Sequence, residues 1–172
     1  MDYVEKGGVG LYVCGSYQLL GRYYKAADGT SLQGLEIFDL YTESFGKKKP
    51  RCIGNTVARL SESILEDPVF KNINRVGEKI VGFENHGGRT YIANIENCFA
   101  KVEIGHGNNS EDYSEGYLHK NSIGTYFHGP VLARNPHLAD YLIAKSLGVE
   151  SLENLDDSLI LAAHNASMNL KQ

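Results

Sequence analysis

Cys14 is the residue whose surroundings best suit nucleophilic chemistry. It follows a short apolar run, residues 10–13, and precedes Gly15, Ser16 and a stretch with helical character. A strand, a sharp turn and a helix form a nucleophile elbow, which exposes a reactive side chain above a sheet. The thiolate is the nucleophilic form of cysteine, and a helix N-terminus lowers a thiol pKa. We therefore expect a reactive thiol with a lowered pKa at Cys14.

A cysteine nucleophile needs a base, which is usually a histidine. His128 is the best placed, because it ends a strand-like run and precedes Gly129. Sites in open α/β sheets form at the carboxyl ends of strands. His86 has a similar setting and is the second candidate, whereas the other four are interpreted as solvated or structural: His106, His119, His137 and His164. From these residues alone, a buried structural cysteine and a Cys-His enzyme both remain open.

The elements that must position these side chains follow from apolar periodicity. The patterns predict a helix over residues 17–26, strands at 35–40, 52–60, 79–84, 90–95, 100–104, 116–119 and 123–128, and helices near 66–72, over 130–147 and over 157–169. Strands near the start, an antiparallel-looking middle and C-terminal helices indicate an α/β three-layer domain.

Composition excludes several classes of function. The chain has 172 residues, 42% of them hydrophobic, and a formal net charge of −4. Nucleic-acid binding is disfavoured because phosphate recognition needs a basic face, and no apolar run is long enough for a membrane span. Three widely spaced cysteines and the lack of an apolar leader predict a cytoplasmic chain with reduced thiols. Without a CxxC or HxxxH pair, no metal site is expected.

Three segments carry a resemblance to class I glutamine amidotransferases of the cobyric-acid-synthase-like branch. They are residues 13–21 (VCGSYQLLG), 82–86 (GFENH) and 124–130 (GTYFHGP). Within that branch, residues 7–147 are similar to the GatD group, the glutaminase subunits of lipid II isoglutaminyl synthases. The resemblance implies a flavodoxin-like three-layer α/β sheet with a nucleophile elbow. We expect one partial domain over residues 1–172.

The resemblance also implies a mechanism and a partner. Cys14 is the expected nucleophile and His128 the general base and later general acid. The N–H of Gly15 is the expected oxyanion donor, and Arg51 is expected to bind the substrate L-glutamine. No cofactor is expected in this subunit, because a Mur-ligase-like partner (MurT) would use ATP and magnesium. That partner would take the ammonia to amidate the D-glutamate of lipid II in peptidoglycan synthesis.

Two departures from the family pattern matter. Pro130 stands where many class I amidotransferases have a glutamate, so the third triad member is expected from an acidic residue of the partner, with Glu84 or Glu43 as weaker candidates within the chain. The family also has N-terminal strands and a glycine-rich loop that are missing here, which implies a fragment, a mis-called start or a decayed gene. We expect the isolated chain to be a weak or inactive glutaminase. The alternatives are the amidotransferase part of a cobyrinic-acid-type amide synthase, and an inactive binding fragment.

Overall fold

The computed structural model describes residues 2–170. Its strands are β1 (Gly10–Val13), β2 (Tyr23–Lys25), β3 (Ser31–Gln33), β4 (Leu40–Ser44), β5 (Cys52–Leu60), β6 (Lys79–His86), β7 (Gly88–Ile92), β8 (Ala100–Ile104), β9 (Ser114–Glu115), β10 (Tyr117–His119) and β11 (Ser122–Thr125). Its α-helices are α1 (Asp2–Glu5), α2 (Gly15–Leu19), α3 (Glu62–Leu65), α4 (Pro68–Ile73), α5 (Val131–Arg134), α6 (Pro136–Leu147) and α7 (Ser158–Met168). The α/β class is therefore confirmed.

The sheet that matters for the site is small, with the order β1-β11-β10. β1 runs parallel to β11, with Val13 opposite Thr125, and β10 is antiparallel to β11. The carboxyl ends of β1 and β11 consequently meet at one edge of the sheet. Whatever follows Val13 and Thr125 along the chain is brought together there.

Two four-stranded sheets flank this one. Their orders are β3-β2-β4-β7, in which only β2 and β4 are parallel, and β6-β5-β8-β9, which is antiparallel throughout. A single antiparallel bridge joins Phe83 of β6 to His128 beyond the end of β11. The third sheet thereby holds the segment that leaves β11.

Two hydrophobic clusters cover opposite faces of β11. Ile123 belongs to a cluster with Ile80, Phe99 and Leu138, in which α6 packs over the sheet. Next to it, Gly124 faces the ring of Tyr17 from α2, which belongs to a second, largely aromatic cluster. Alternation along a strand sends neighbouring side chains to opposite faces. β11 is thus the middle layer between the α6 side and the elbow side.

Most predicted elements are confirmed to within a few residues, and two are wrong. The expected helix over 17–26 ends at Leu19, because residues 23–25 form β2, which pairs with β3 and β4. Residues 35–39 are also irregular, and β4 begins only at Leu40. The expected helix over 130–147 is divided at Asn135 into α5 and α6, with Gly148 in the left-handed conformation ending α6, and the expected helix over 157–169 is present as α7. No helix within residues 2–170 has the length and apolar character needed to cross a bilayer.

Gly124→Ala is expected to lower the free energy of unfolding by about 3 kcal/mol, because overpacking a filled core forces rings and backbone apart. A Cβ at position 124 would lie 2.2 Å from Cδ2 of Tyr17. That ring cannot move away easily, since it is fully buried and its hydroxyl donates to Oδ1 of Asn108 at 3.1 Å. Urea unfolding measures the loss. Gly129→Ala is the control, since a Cβ there meets nothing within 4 Å; equal losses would contradict the packing argument.

Candidate active site

Cys14 occupies a strained turn between β1 and α2. Its φ of 53° and ψ of −108° lie in a region that non-glycine residues rarely adopt. Its N–H donates to the carbonyl of Thr125 at 2.9 Å, which ties the turn to the end of β11. The residue is half-buried. This is the strand-turn-helix geometry of a nucleophile elbow.

The pKa of the Cys14 thiol is raised, which corrects the expected direction. Burial raises it most, whereas the Gly15 N–H and the charge of Arg51 lower it. The two stabilising contacts do not overcome desolvation, because α2 is only five residues long and the sulfur is withdrawn from water. A thiol of this kind needs a base before it can attack.

His128 lies three residues beyond Thr125, at the sheet edge that also carries Cys14. Its N–H donates to the carbonyl of Phe83 at 2.8 Å, and its side chain is half-buried. Nδ1 of its ring is buried and has no hydrogen-bond partner among residues 2–170. A histidine base is usually oriented by a bond to this nitrogen. The described part of the chain therefore leaves that orienting position open.

Gly15 and Arg51 both act on the Cys14 sulfur. The Gly15 N–H approaches it from the first turn of α2, and the guanidinium charge of Arg51 is close enough to lower its pKa. Arg51 is exposed, and its Nη2 donates to Oδ1 of Asn85 at 2.9 Å and to the Asn85 carbonyl at 3.1 Å. The structure thus brings a backbone donor and an oriented cation to the thiol. Such a cation is suited to a carboxylate.

The alternative candidates within the chain have other partners. The His86 ring is 2% exposed and stacks on Tyr126, with ring centroids 3.6 Å apart, and its Nδ1 contacts the carbonyl of Gly88 at 2.8 Å. Glu84 is fully buried and accepts the N–H groups of His106 and Gly107 at 2.6 and 2.9 Å. Neither reaches His128 through a described contact.

His86 and Glu84 lie next to each other in the core. Burial works against a high pKa for His86, but contacts with Cys52 and Glu84 outweigh it and raise that pKa to about 9. Burial likewise raises the pKa of Glu84, and its hydrogen bonds outweigh this and lower it. Oε2 of Glu84 lies 3.7 Å from Nε2 of His86. Glu43, the remaining acid considered, lies 3.8 Å from Lys25.

A series of side-chain hydrogen bonds that starts from α2 was not predicted from the sequence. Nε2 of Gln18 donates to the Tyr126 hydroxyl at 2.9 Å, and that hydroxyl lies 2.6 Å from Oγ1 of Thr90. Thr90 in turn shares a 2.7 Å hydrogen bond with Thr42. The glutamine in the segment 13–21 was the available signal, but its partner is 108 residues away. This series of hydrogen bonds links α2 to the segment that bears His128.

This chain is similar in sequence to several known proteins. Two curated relatives are lipid II isoglutaminyl synthase (glutamine-hydrolyzing) subunits GatD. The one from Staphylococcus aureus is 45% identical over 143 residues, 83% of this chain and 51% of the relative. The one from Streptococcus pneumoniae is 36% identical over 146 residues, 85% and 50% of the two chains. The chain thus spans about half the length of these relatives.

More distant similarity extends to cobyric acid synthases. A probable cobyric acid synthase from Methanococcus maripaludis is 27% identical over 181 residues, 98% of this chain and 32% of the relative. Residues 1–136 match the family model described as the CobB/CobQ-like glutamine amidotransferase domain. With the elbow at Cys14 inside the matched segment, the chain belongs to the CobB/CobQ-like glutamine amidotransferase family.

Proposed function

We propose that this chain is the glutamine-hydrolysing subunit of a lipid II isoglutaminyl synthase. The observation that carries the proposal is the strained elbow of Cys14. The Cys14 N–H donates to the carbonyl of Thr125, which ends β11 three residues before His128. The similarity to two GatD subunits supports the acceptor, the D-glutamate of lipid II. The cobyrinic-acid-type amide synthase is less well supported, because the identity to a cobyric acid synthase is 27%.

The proposed reaction has two half-reactions. The base His128 takes the Cys14 proton, and the sulfur attacks the side-chain amide carbon of L-glutamine. The Gly15 N–H stabilises the oxyanion, and a donor of this kind contributes about 3 kcal/mol to lowering the barrier. The carbon–nitrogen bond then breaks, and the imidazolium returns its proton to the leaving ammonia. Water hydrolyses the γ-glutamyl thioester, which releases glutamate and restores the thiol.

Arg51 is proposed to hold the α-carboxylate of the substrate. It lines a cavity of about 350 Å³ together with Arg89 and with Lys49, which pairs with Glu111 of the same lining. Asn85 fixes one side of the guanidinium through three hydrogen bonds. Fixing the fork in advance reduces the entropy lost when a carboxylate binds.

A ligase partner would complete the site. Nδ1 of His128 has no hydrogen-bond partner within the described residues, but it is also shielded from solvent, so an acidic side chain of the partner would reach it only if complex formation moves the surrounding segment. We propose a Mur-ligase-like (MurT) partner that consumes the ammonia with ATP and magnesium, in the cytoplasm where both are available. Glutamine hydrolysis would then depend on complex formation, and the isolated chain would be weakly active.

Labelling with 6-diazo-5-oxo-L-norleucine, an electrophilic glutamine analogue, tests the proposal. With the partner present, peptide mass mapping is expected to place one adduct on Cys14. Arg51→Ala should slow labelling about tenfold, because a charge-assisted carboxylate contact is lost. It should leave alkylation by iodoacetamide, which has no carboxylate, within about twofold.

Arg59→Ala is the matched control for Arg51→Ala. Arg59 lies in β5, which begins just after Arg51, and it pairs with Glu62 and Glu78 instead. It should label like the wild type. Absence of a Cys14 adduct in the presence of the partner would refute the glutaminase function and favour an inactive binding subunit.

A further inference from the structure

Beyond Thr125, where the ladder with β1 ends, the segment that carries His128 is held by two side-chain acceptors and one backbone bridge. The Tyr126 N–H donates to Oε1 of Glu115 at 2.9 Å, and the Phe127 N–H donates to Oγ1 of Thr125 at 3.0 Å. His128 then bonds through its own N–H to the Phe83 carbonyl. Every backbone N–H from 126 to 128 is thus satisfied, and Glu115 supplies the first link.

Glu115 also reaches the elbow through Thr125. Its Oε1 accepts from the Thr125 hydroxyl as well as from the Tyr126 N–H. The carbonyl of the same threonine accepts the Cys14 N–H at 2.9 Å. One carboxyl oxygen is therefore bonded to the peptide unit that lies between the candidate nucleophile and the candidate base.

Stability alone gives no reason for a carboxyl group in this place. Glu115 is fully buried, and its Oε2 has no hydrogen-bond partner in the described part of the chain. Burial of an acid without full compensation is unfavourable. Glu84 adds a like charge nearby, His86 an opposite one, and the hydroxyl of Tyr17 also faces the carboxyl.

Glycine at position 116 keeps the carboxyl-bearing strand against β11. A Cβ at Gly116, where φ is +64°, would lie 2.2 Å from the carbonyl oxygen of Gly124. Asn108 fixes the same glycine by accepting its N–H at 2.9 Å and donating to its carbonyl at 3.0 Å. The approach of Glu115 to Thr125 is thus set by backbone contacts on the next residue.

We propose that Glu115 is a positioning residue for the glutaminase reaction, which holds the Thr125–Tyr126 peptide so that His128 is kept in register with Cys14. The inference rests on the function proposed above. Glu115 itself touches neither the thiol nor the substrate; it acts through Thr125 and Tyr126.

The test compares Glu115→Ala with Glu115→Gln in the purified chain. The readouts are the pH dependence of Cys14 alkylation by iodoacetamide and the ¹⁵N resonances of the His128 ring. Alanine removes the acceptor, so we expect about fivefold slower alkylation at neutral pH, a shifted pH midpoint and changed His128 resonances. Glutamine keeps an acceptor oxygen, so it should stay within about twofold of the wild type.

Two further variants keep the test decisive. Thr125→Val removes the hydroxyl that bonds both Glu115 and the Phe127 N–H, and it should reproduce the alanine result even if Glu115→Ala does not fold. Ile80→Val destabilises the buried core by about 1 kcal/mol without removing any hydrogen bond of this network, and should change neither readout.

An unchanged pH profile and unchanged His128 resonances in Glu115→Ala would overturn the inference, as would equal changes in Ile80→Val. These measurements need no turnover. A wild-type chain that gives no adduct with the glutamine analogue in the presence of its partner would refute the proposed function instead. The two failures are therefore distinguishable.

Discussion

Cys14→Ser is expected to lower the proposed glutamine hydrolysis, measured with the proposed partner present, on the order of 10³-fold or more, because a hydroxyl is a far weaker nucleophile than a thiol at neutral pH. The Cys14 thiol already has a raised pKa, so a base must remove its proton during attack, and His128 is the proposed base. A serine hydroxyl would demand much more of the same imidazole, whose Nδ1 has no partner within residues 2–170. Glutamate release measures the effect.

Cys98→Ser is the matched control for this substitution. Cys98 is also a free, buried thiol whose pKa is raised by burial, but it lies two residues before β8 and not in the elbow. The same change of sulfur to oxygen there should leave hydrolysis within about twofold of the wild type. Equal losses in both variants would mean that the activity does not depend on an attack by Cys14.

The elbow could be predicted from the sequence because its determinants are local. An apolar strand, a cysteine and small residues at 15 and 16 are contiguous, and the family motif adds His128 and Arg51. The structure places Arg51 close enough to act on the Cys14 thiol and His128 at the same sheet edge. Their catalytic roles remain predictions until labelling and turnover are measured.

Features that depend on distant partners could not be predicted. Residues 23–25 continue a helix-like sequence pattern, but pairing with β3 and β4 makes them a strand, so contacts outside the segment override the local pattern. The Cys14 pKa has the opposite direction to that expected, because burial depends on packing that no local motif encodes. Asn108 reaches Tyr17 across 91 residues, so its role in seating α2 is also invisible in sequence.

Glu115 shows that the role of a buried acidic residue depends on its surroundings in the fold and not on its local sequence. The dipeptide Glu115-Gly116 is unremarkable by composition, and only the pairing of β9 with β8 and the hydrogen bond from Thr125 at the end of β11 show that its carboxyl lies next to the edge that carries the candidate site. Burial raises its pKa most, and the bonds from Thr125 and Tyr126 oppose this. The result is a pKa of about 7, against an ordinary value of 4.5.

This raised pKa predicts a specific pH dependence of stability. Below pH 4.5 the Glu115 carboxyl is protonated in both the folded and the unfolded chain, so its ionisation does not change the free energy of unfolding. As the pH rises to about 7, the unfolded chain ionises while the folded chain holds its proton, so the free energy of unfolding falls. The loss is on the order of 3 kcal/mol and is complete above the folded pKa.

Glu115→Gln removes this dependence, because an amide does not ionise. The variant is therefore expected to gain stability relative to the wild type as the pH rises from 4.5 to about 7. His86, with its pKa raised to about 9, and His137, with its pKa lowered to about 4 by burial, titrate in both proteins and largely cancel in the difference. Urea unfolding at several pH values measures this difference. A difference that stays flat over that range would show that Glu115 is already ionised in the folded chain, and that Thr125, Tyr126 and His86 together compensate its burial.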